Sequence, residues 1–137
     1  MSYKMHRPIK ASIFSSLTNN EDKIMFLLNY GVFAPSTHNT QPWLFKLGDS
    51  YCDVFLNEDK SLPIADKSHK NMHISVGCCI ENIIIAAKYY GVFRSLKLDI
   101  RERKIARISF NFKKSKAIDK SFFKLFSSIS KRQNKRG

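Results

Sequence analysis

The sequence predicts an α+β fold in which antiparallel β-hairpins are packed around a central buried helix. Three features carry that expectation. Residues 72–90 are apolar on nearly every face and run into Gly91, a residue suited to the C′ position of a helix. Trp43, Phe45 and Leu47 alternate with polar neighbours, Gly48-Asp49-Ser50 supplies turn residues, and Cys52, Val54 and Leu56 alternate again. The same pattern returns in Leu96, Leu98 and Ile100 and then in Ala106, Ile108, Phe110 and Phe112, with residues 101–104 to turn between them.

The remaining elements follow in chain order. Residues 1–16 have no clear period and read as an arm or a short first helix. Thr18 and Glu21 have the spacing of a capping box, Ile24, Leu27 and Leu28 recur at helical intervals, and Gly31 is a stop, so a short amphipathic helix is expected. Residues 32–42 combine two prolines with Ser36, Thr37 and Asn39, which resists both helix and strand and predicts a structured loop. Residues 57–68 are polar with Pro63 in their midst and read as a connection ending at an N-cap, Ser68 or Asn71. Near the end, Asp119 can cap a last helix in which Phe122, Phe123, Phe126 and Ile129 share a face.

A chain of 137 residues can bury one core. Its formal charge of +13 would suit a nucleic-acid or anionic-membrane partner. Much of the excess, however, is spread after Leu96 over hairpin, turn and helix. It carries no zinc-ligand, basic-zipper or aromatic RNA-binding signature, so nucleic acid is not the expected partner and a solvated lysine-rich surface is. Three cysteines, two of them adjacent, do not make a disulfide framework and fit a reducing cytoplasm. The longest greasy stretch, residues 74–87, carries Glu81 and Asn82 and falls short of a membrane span, so no membrane partner is expected. His69 and His73 lie four apart ahead of Cys78 and Cys79, but the thiols lack paired metal-ligand spacing and no metal is expected.

The loop from Ala34 to Trp43 is the segment richest in chemistry. A polar stretch between two prolines can hold backbone N–H groups and small side chains against a planar ligand. From the residues alone two readings stand: a binding loop, or a satisfied turn that packs Trp43 into the core. No paired carboxylates and no nucleophile with a base are found, so no catalytic residue is assigned.

The string APSTHNTQPW at residues 34–43, followed by Leu44-Phe45, resembles the flavin-contacting motif of the FMN-dependent nitroreductase family, in particular its two-half, single-chain branch. Leu62-Pro63, Asp66, residues 73–78, Glu81-Asn82-Ile83, Ala86-Ala87 and Gly91 resemble the central-helix region of the same branch, in the same order. The resemblance implies a nitroreductase-like sandwich half whose active form is a homodimer or a pairing with a separate second-half chain. It implies FMN at the interface of two equivalent halves, with Pro35, Ser36, Thr37, His38, Asn39 and Gln41 along the flavin. It also implies NAD(P)H as electron donor and a small-molecule acceptor, nitroaromatic or quinone-like. The protein's part in such chemistry is positioning and tuning the ring.

The flavin phosphate calls for arginine, whose forked donors match it. Arg132 and Arg136 lie in a segment similar to the one that opens the family's second half, although Asn134 and Lys135 depart from the usual residues there. Residues 1–137 are thus expected to be a single N-terminal half-domain, truncated where residues 131–137 begin a missing second half. Two alternatives to an active FMN oxidoreductase follow: an inactive remnant serving as an interaction or structural module, and a basic nucleic-acid-binding protein.

Overall fold

The computed structural model describes residues 11–114 and 116–132. Ala11–Ser16 form a 3-10 helix, and the first ten residues of the expected arm lie outside the described range. Helix α1 spans Asn20–Gly31. Its cap is Asn19 rather than Thr18: the Asn19 side chain accepts from the Asp22 N–H at 2.8 Å and donates to the Asp22 carboxylate at 2.8 Å. Asparagine satisfies one orphan donor as well as threonine does, and the helix starts one turn position later than the capping-box spacing suggests. Gly31 does not terminate the helix by left-handed geometry; a Cβ there would meet Ile83 Cγ1 at 2.8 Å and Cys79 Sγ at 3.0 Å. The missing side chain lets α1 lie against the central helix.

Strands β1 (Trp43–Leu47) and β2 (Tyr51–Leu56) form the first expected hairpin, and β3 (Phe93–Arg101) and β4 (Lys104–Phe110) the second. The two hairpins do not enclose the helix separately. They join through β2 and β4 into one antiparallel sheet of order β1-β2-β4-β3, with Val54 opposite Ala106 and Cys52 opposite Ile108. Sequence periodicity sets which face of each strand is apolar but not which strands meet, because partner choice rests on long-range packing. β4 ends at Phe110, and Phe112 leaves the ladder to stack on the Phe110 ring at 5.5 Å between centroids.

Helix α2 (Lys70–Tyr89) crosses the inner face of the sheet. Cys52, Val54, Leu56, Ala106, Ile108 and Phe110 face it from the strands, and Val76, Cys79, Ile80, Ile83 and Ala87 meet them, all buried. Its C-terminus closes as expected around Gly91 (φ 71°): Val92 N–H reaches Ala87 O at 2.9 Å and Gly91 N–H reaches Lys88 O at 3.1 Å, a Schellman motif. Burial is not complete, since Ile74, Gly77 and Glu81 line an exposed strip along α2. A short helix α3 (Phe123–Ile129) follows a 3-10 turn capped by Asp119, which accepts from the Ser121 N–H at 3.0 Å. Phe126 ties α3 down, stacking on Tyr89 at 4.0 Å and tilting against Tyr30 at 4.8 Å. Phe123 shares the predicted face but stays exposed.

Candidate functional site

The loop that joins α1 to β1 is fixed at both ends and open between them. Ala34, Pro42 and Trp43 are buried, whereas Pro35, His38, Asn39 and Gln41 are exposed and Ser36 and Thr37 are half-buried. Between the anchors the backbone folds on itself: Asn39 N–H donates to Ser36 O at 3.0 Å, Thr40 N–H to Thr37 O at 3.2 Å, and Gln41 N–H to the Ser36 hydroxyl oxygen at 3.0 Å. Pro42 O in turn accepts from the Asn57 N–H at 2.9 Å, tying the loop to the end of β2.

Three non-glycine residues within four positions occupy left-handed backbone: His38 (φ 53°), Asn39 (φ 54°) and Gln41 (φ 51°). Asparagine and histidine tolerate this region better than most residues, but each such position costs on the order of 1 kcal/mol. The rest of the fold holds the loop there, and the effect is to turn His38, Asn39 and Gln41 outward together. That clustering was not readable from composition, which signals only a loop.

Arg132 is brought to the base of the same loop. Its Nε donates to the Phe33 carbonyl at 3.1 Å across 99 positions of sequence. Arg136, the second arginine expected near a phosphate, lies outside the described residues. Of the expected site residues, Pro35, Ser36, Thr37, His38, Asn39 and Gln41 thus share one loop, and Arg132 is tied to the residue just before it. Two shallow depressions lie elsewhere, one beside Lys88 and residues 116–121, the other beside Phe55 and residues 101–104.

Helix α2 also touches this loop, and its start differs from the expected Ser68 or Asn71. His69 is the cap, in left-handed backbone (φ 59°) and without a side-chain capping bond. The work falls to Asp66, buried with 5% of its surface exposed, whose carboxylate accepts from Asn71 N–H at 3.0 Å and Met72 N–H at 2.9 Å. A carboxylate here satisfies two orphan donors and opposes the positive end of the helix dipole. His73 Nδ1 lies 2.8 Å from His69 O, so that ring is engaged by its own helix.

Behind the loop the chemistry is inert. Burial, reinforced by neighbouring Asp53, pushes the Cys52 thiol up to about 12, and burial raises Cys79 as well. Neither is a nucleophile at neutral pH. On the outer face of the sheet Asp53 accepts a forked pair from Arg107, Nε at 2.7 Å and Nη2 at 2.9 Å, with Lys104 Nζ at 3.4 Å. The Arg107 hydrogen bonds, with Lys104 adding to them, hold the Asp53 carboxyl below the usual carboxylate range. Part of the basic excess is consumed in such pairs: Arg101 meets Asp99 at 3.0 Å and Arg103 meets Glu58 at 3.3 Å. Among the described residues no helix is long and apolar enough to cross a membrane, and no cluster of three or more His, Cys, Asp or Glu is placed to hold a metal.

The chain is an α+β fold with a four-stranded antiparallel sheet and a strained polar loop between α1 and β1. Comparison with known proteins gives this a direction. Over 70 residues, 51% of the chain, it is 27% identical to a "Putative NAD(P)H nitroreductase" of Mycobacterium tuberculosis strain CDC 1551 / Oshkosh. It matches the protein of the same name in strain ATCC 25618 / H37Rv to the same extent. The match covers 20% of those relatives' length. No family model matches the chain. The relationship is nitroreductase-like, at the level of an oxidoreductase class.

Proposed function

We propose that this chain is the N-terminal half of an FMN-dependent oxidoreductase of the two-half nitroreductase branch, passing electrons from NAD(P)H to nitroaromatic or quinone-like acceptors. The observation that carries the reading is the end-anchored loop in which His38, Asn39 and Gln41 are all held in left-handed backbone. Strain kept at an exposed, polar, otherwise replaceable loop is characteristic of a ligand site. Pro35, Ser36, Thr37, His38, Asn39 and Gln41 would lie along the isoalloxazine ring, and Arg132, with Arg136, would answer the phosphate. The bound flavin would supply the redox step, taking a hydride from the nicotinamide and delivering electrons to the acceptor. The residues of this chain would bind and orient it.

One wall does not enclose a ring, so the site needs a second, supplied by another copy or by a separate second-half chain. The exposed α2 strip of Ile74, Gly77 and Glu81 supports such a pairing, as a long helix with an uncovered face does in general. The rival within the same fold is an inactive remnant.

Titrating FMN into the purified full chain separates these. Quenching of flavin fluorescence, with a rise in melting temperature of several degrees at saturating FMN, is expected if the wall is functional. NAD(P)H-driven quinone reduction would add competence; binding without turnover would favour the remnant. Neither quenching nor protection would remove the flavin reading.

A further inference from the structure

We propose that β3 is a self-pairing edge, through which two copies of this chain join their four-stranded sheets into one continuous antiparallel sheet. The proposal is independent of flavin and concerns a different surface from the α2 strip.

Among the described residues β3 has β4 on one side and no strand on the other, and it is nine residues long. Such an edge presents a row of backbone donors and acceptors, and proteins that remain unpaired usually keep it short or polar on both faces. Here one face is aliphatic. Leu96 and Leu98 sit opposite Ile108 and Ala106 on β4, so they point toward the α2 side of the sheet; beyond Leu98 the ladder shifts register before Arg101, and Ile100 lies in that irregular stretch. α2 does not cover them: Leu96 is 40%, Leu98 65% and Ile100 70% exposed. The other face is charged. Lys97 lies opposite Arg107, and Asp99 reaches Lys104 Nζ at 3.5 Å, placing both on the outer side.

The order of these residues selects one pairing. When two antiparallel strands meet about a two-fold axis, opposed residues have a constant sum of positions and share a face. An axis at Leu98 sets Leu98 against its own copy on the aliphatic side, flanked by the two Leu96 side chains. On the outer side the same axis sets Lys97 against Asp99 twice. Moving the axis one residue toward the N-terminus opposes Lys97 to Lys97; moving it one residue the other way opposes Asp99 to Asp99. Opposed unlike charges stabilise a cross-strand pair and like charges destabilise it, so the strand is complementary to itself in one register and repelled in the neighbouring two. That charge pattern is the argument for a second copy as the occupant.

Sedimentation velocity on the flavin-free full chain over a range of concentrations tests it. A reversible, discrete species of twice the chain mass is expected. Leu98→Lys, at an exposed position that folding does not need, should leave the chain monomeric. Lys97→Asp and Asp99→Lys, each measured alone, should weaken self-association about tenfold. Mixed in equal amounts they should recover it, because each then offers the charges the other lacks. A monomer at all concentrations, open-ended growth, or no recovery in the mixture would overturn the proposal. So would association lost with Ile74→Lys and untouched by Leu98→Lys, a result that assigns the contact to α2 and leaves the flavin reading standing.

Discussion

The candidate loop and the outer face of the sheet use polar groups in opposite ways. In the loop, three non-glycine residues are held at positive φ and their side chains point out from the molecule. On the sheet, Asp53 is 5% exposed and spends both carboxylate oxygens on Arg107, with Lys104 alongside. Strain with outward-facing, exposed groups is what a binding surface retains; charges that satisfy one another are what a structural pair achieves. The difference explains why the more conspicuous charge cluster is not the candidate site.

The largest effect should come from the satisfied region. Asp53→Ala leaves Arg107 and Lys104 facing each other without the carboxylate, and a lowered midpoint in urea unfolding is expected. The loss should fall short of that for a fully buried pair because Arg107 remains partly exposed. A change below about 0.5 kcal/mol would mean the network is decorative. Acid should erase the difference. Asp53 has a folded-state pKa lowered mainly by Arg107. Its contribution is therefore fully present above the unfolded value of about 3.9 and is lost as pH falls below that, through the folded value. Wild type and Asp53→Ala should converge in midpoint as unfolding is repeated toward pH 2–3.

A smaller effect is expected at the start of α2. Asp66→Ala removes the acceptor of the Asn71 and Met72 N–H groups, and thermal unfolding should report a loss of about 1–2 kcal/mol. Amide exchange should speed up first in residues 70–73; uniform exchange along α2 would argue against a local cap.

The smallest effect on stability, and the sharpest on function, is predicted for the loop. Gln41→Gly keeps the backbone at φ 51° with a residue that adopts it freely. Stability should be unchanged or rise by up to about 1 kcal/mol, while FMN binding weakens. A loop that only packs Trp43 would show the first change without the second.

Much of the fold was legible because it is written in local periodicity and turn chemistry. Both hairpins, the long helix, its closure at Gly91 and the Asp119 cap are decided by residues within a few positions of one another. The segment APSTHNTQPW marked the loop, and its prolines and small polar residues required irregular backbone. What the sequence by itself could not decide were meetings between distant positions. The junction of β2 with β4, the fit of Gly31 against Ile83 and the Arg107 fork on Asp53 are of that kind, as is the placing of Arg132 on the Phe33 carbonyl. Asp66 shows the boundary within a few residues: it reads as loop, and becomes the cap of α2 because the chain turns back through left-handed His69. Periodicity records which face of an element is apolar, a property each element carries with it. Only the packed tertiary structure decides which faces meet, because that choice minimises unsatisfied polar groups and uncovered apolar surface over the whole chain at once.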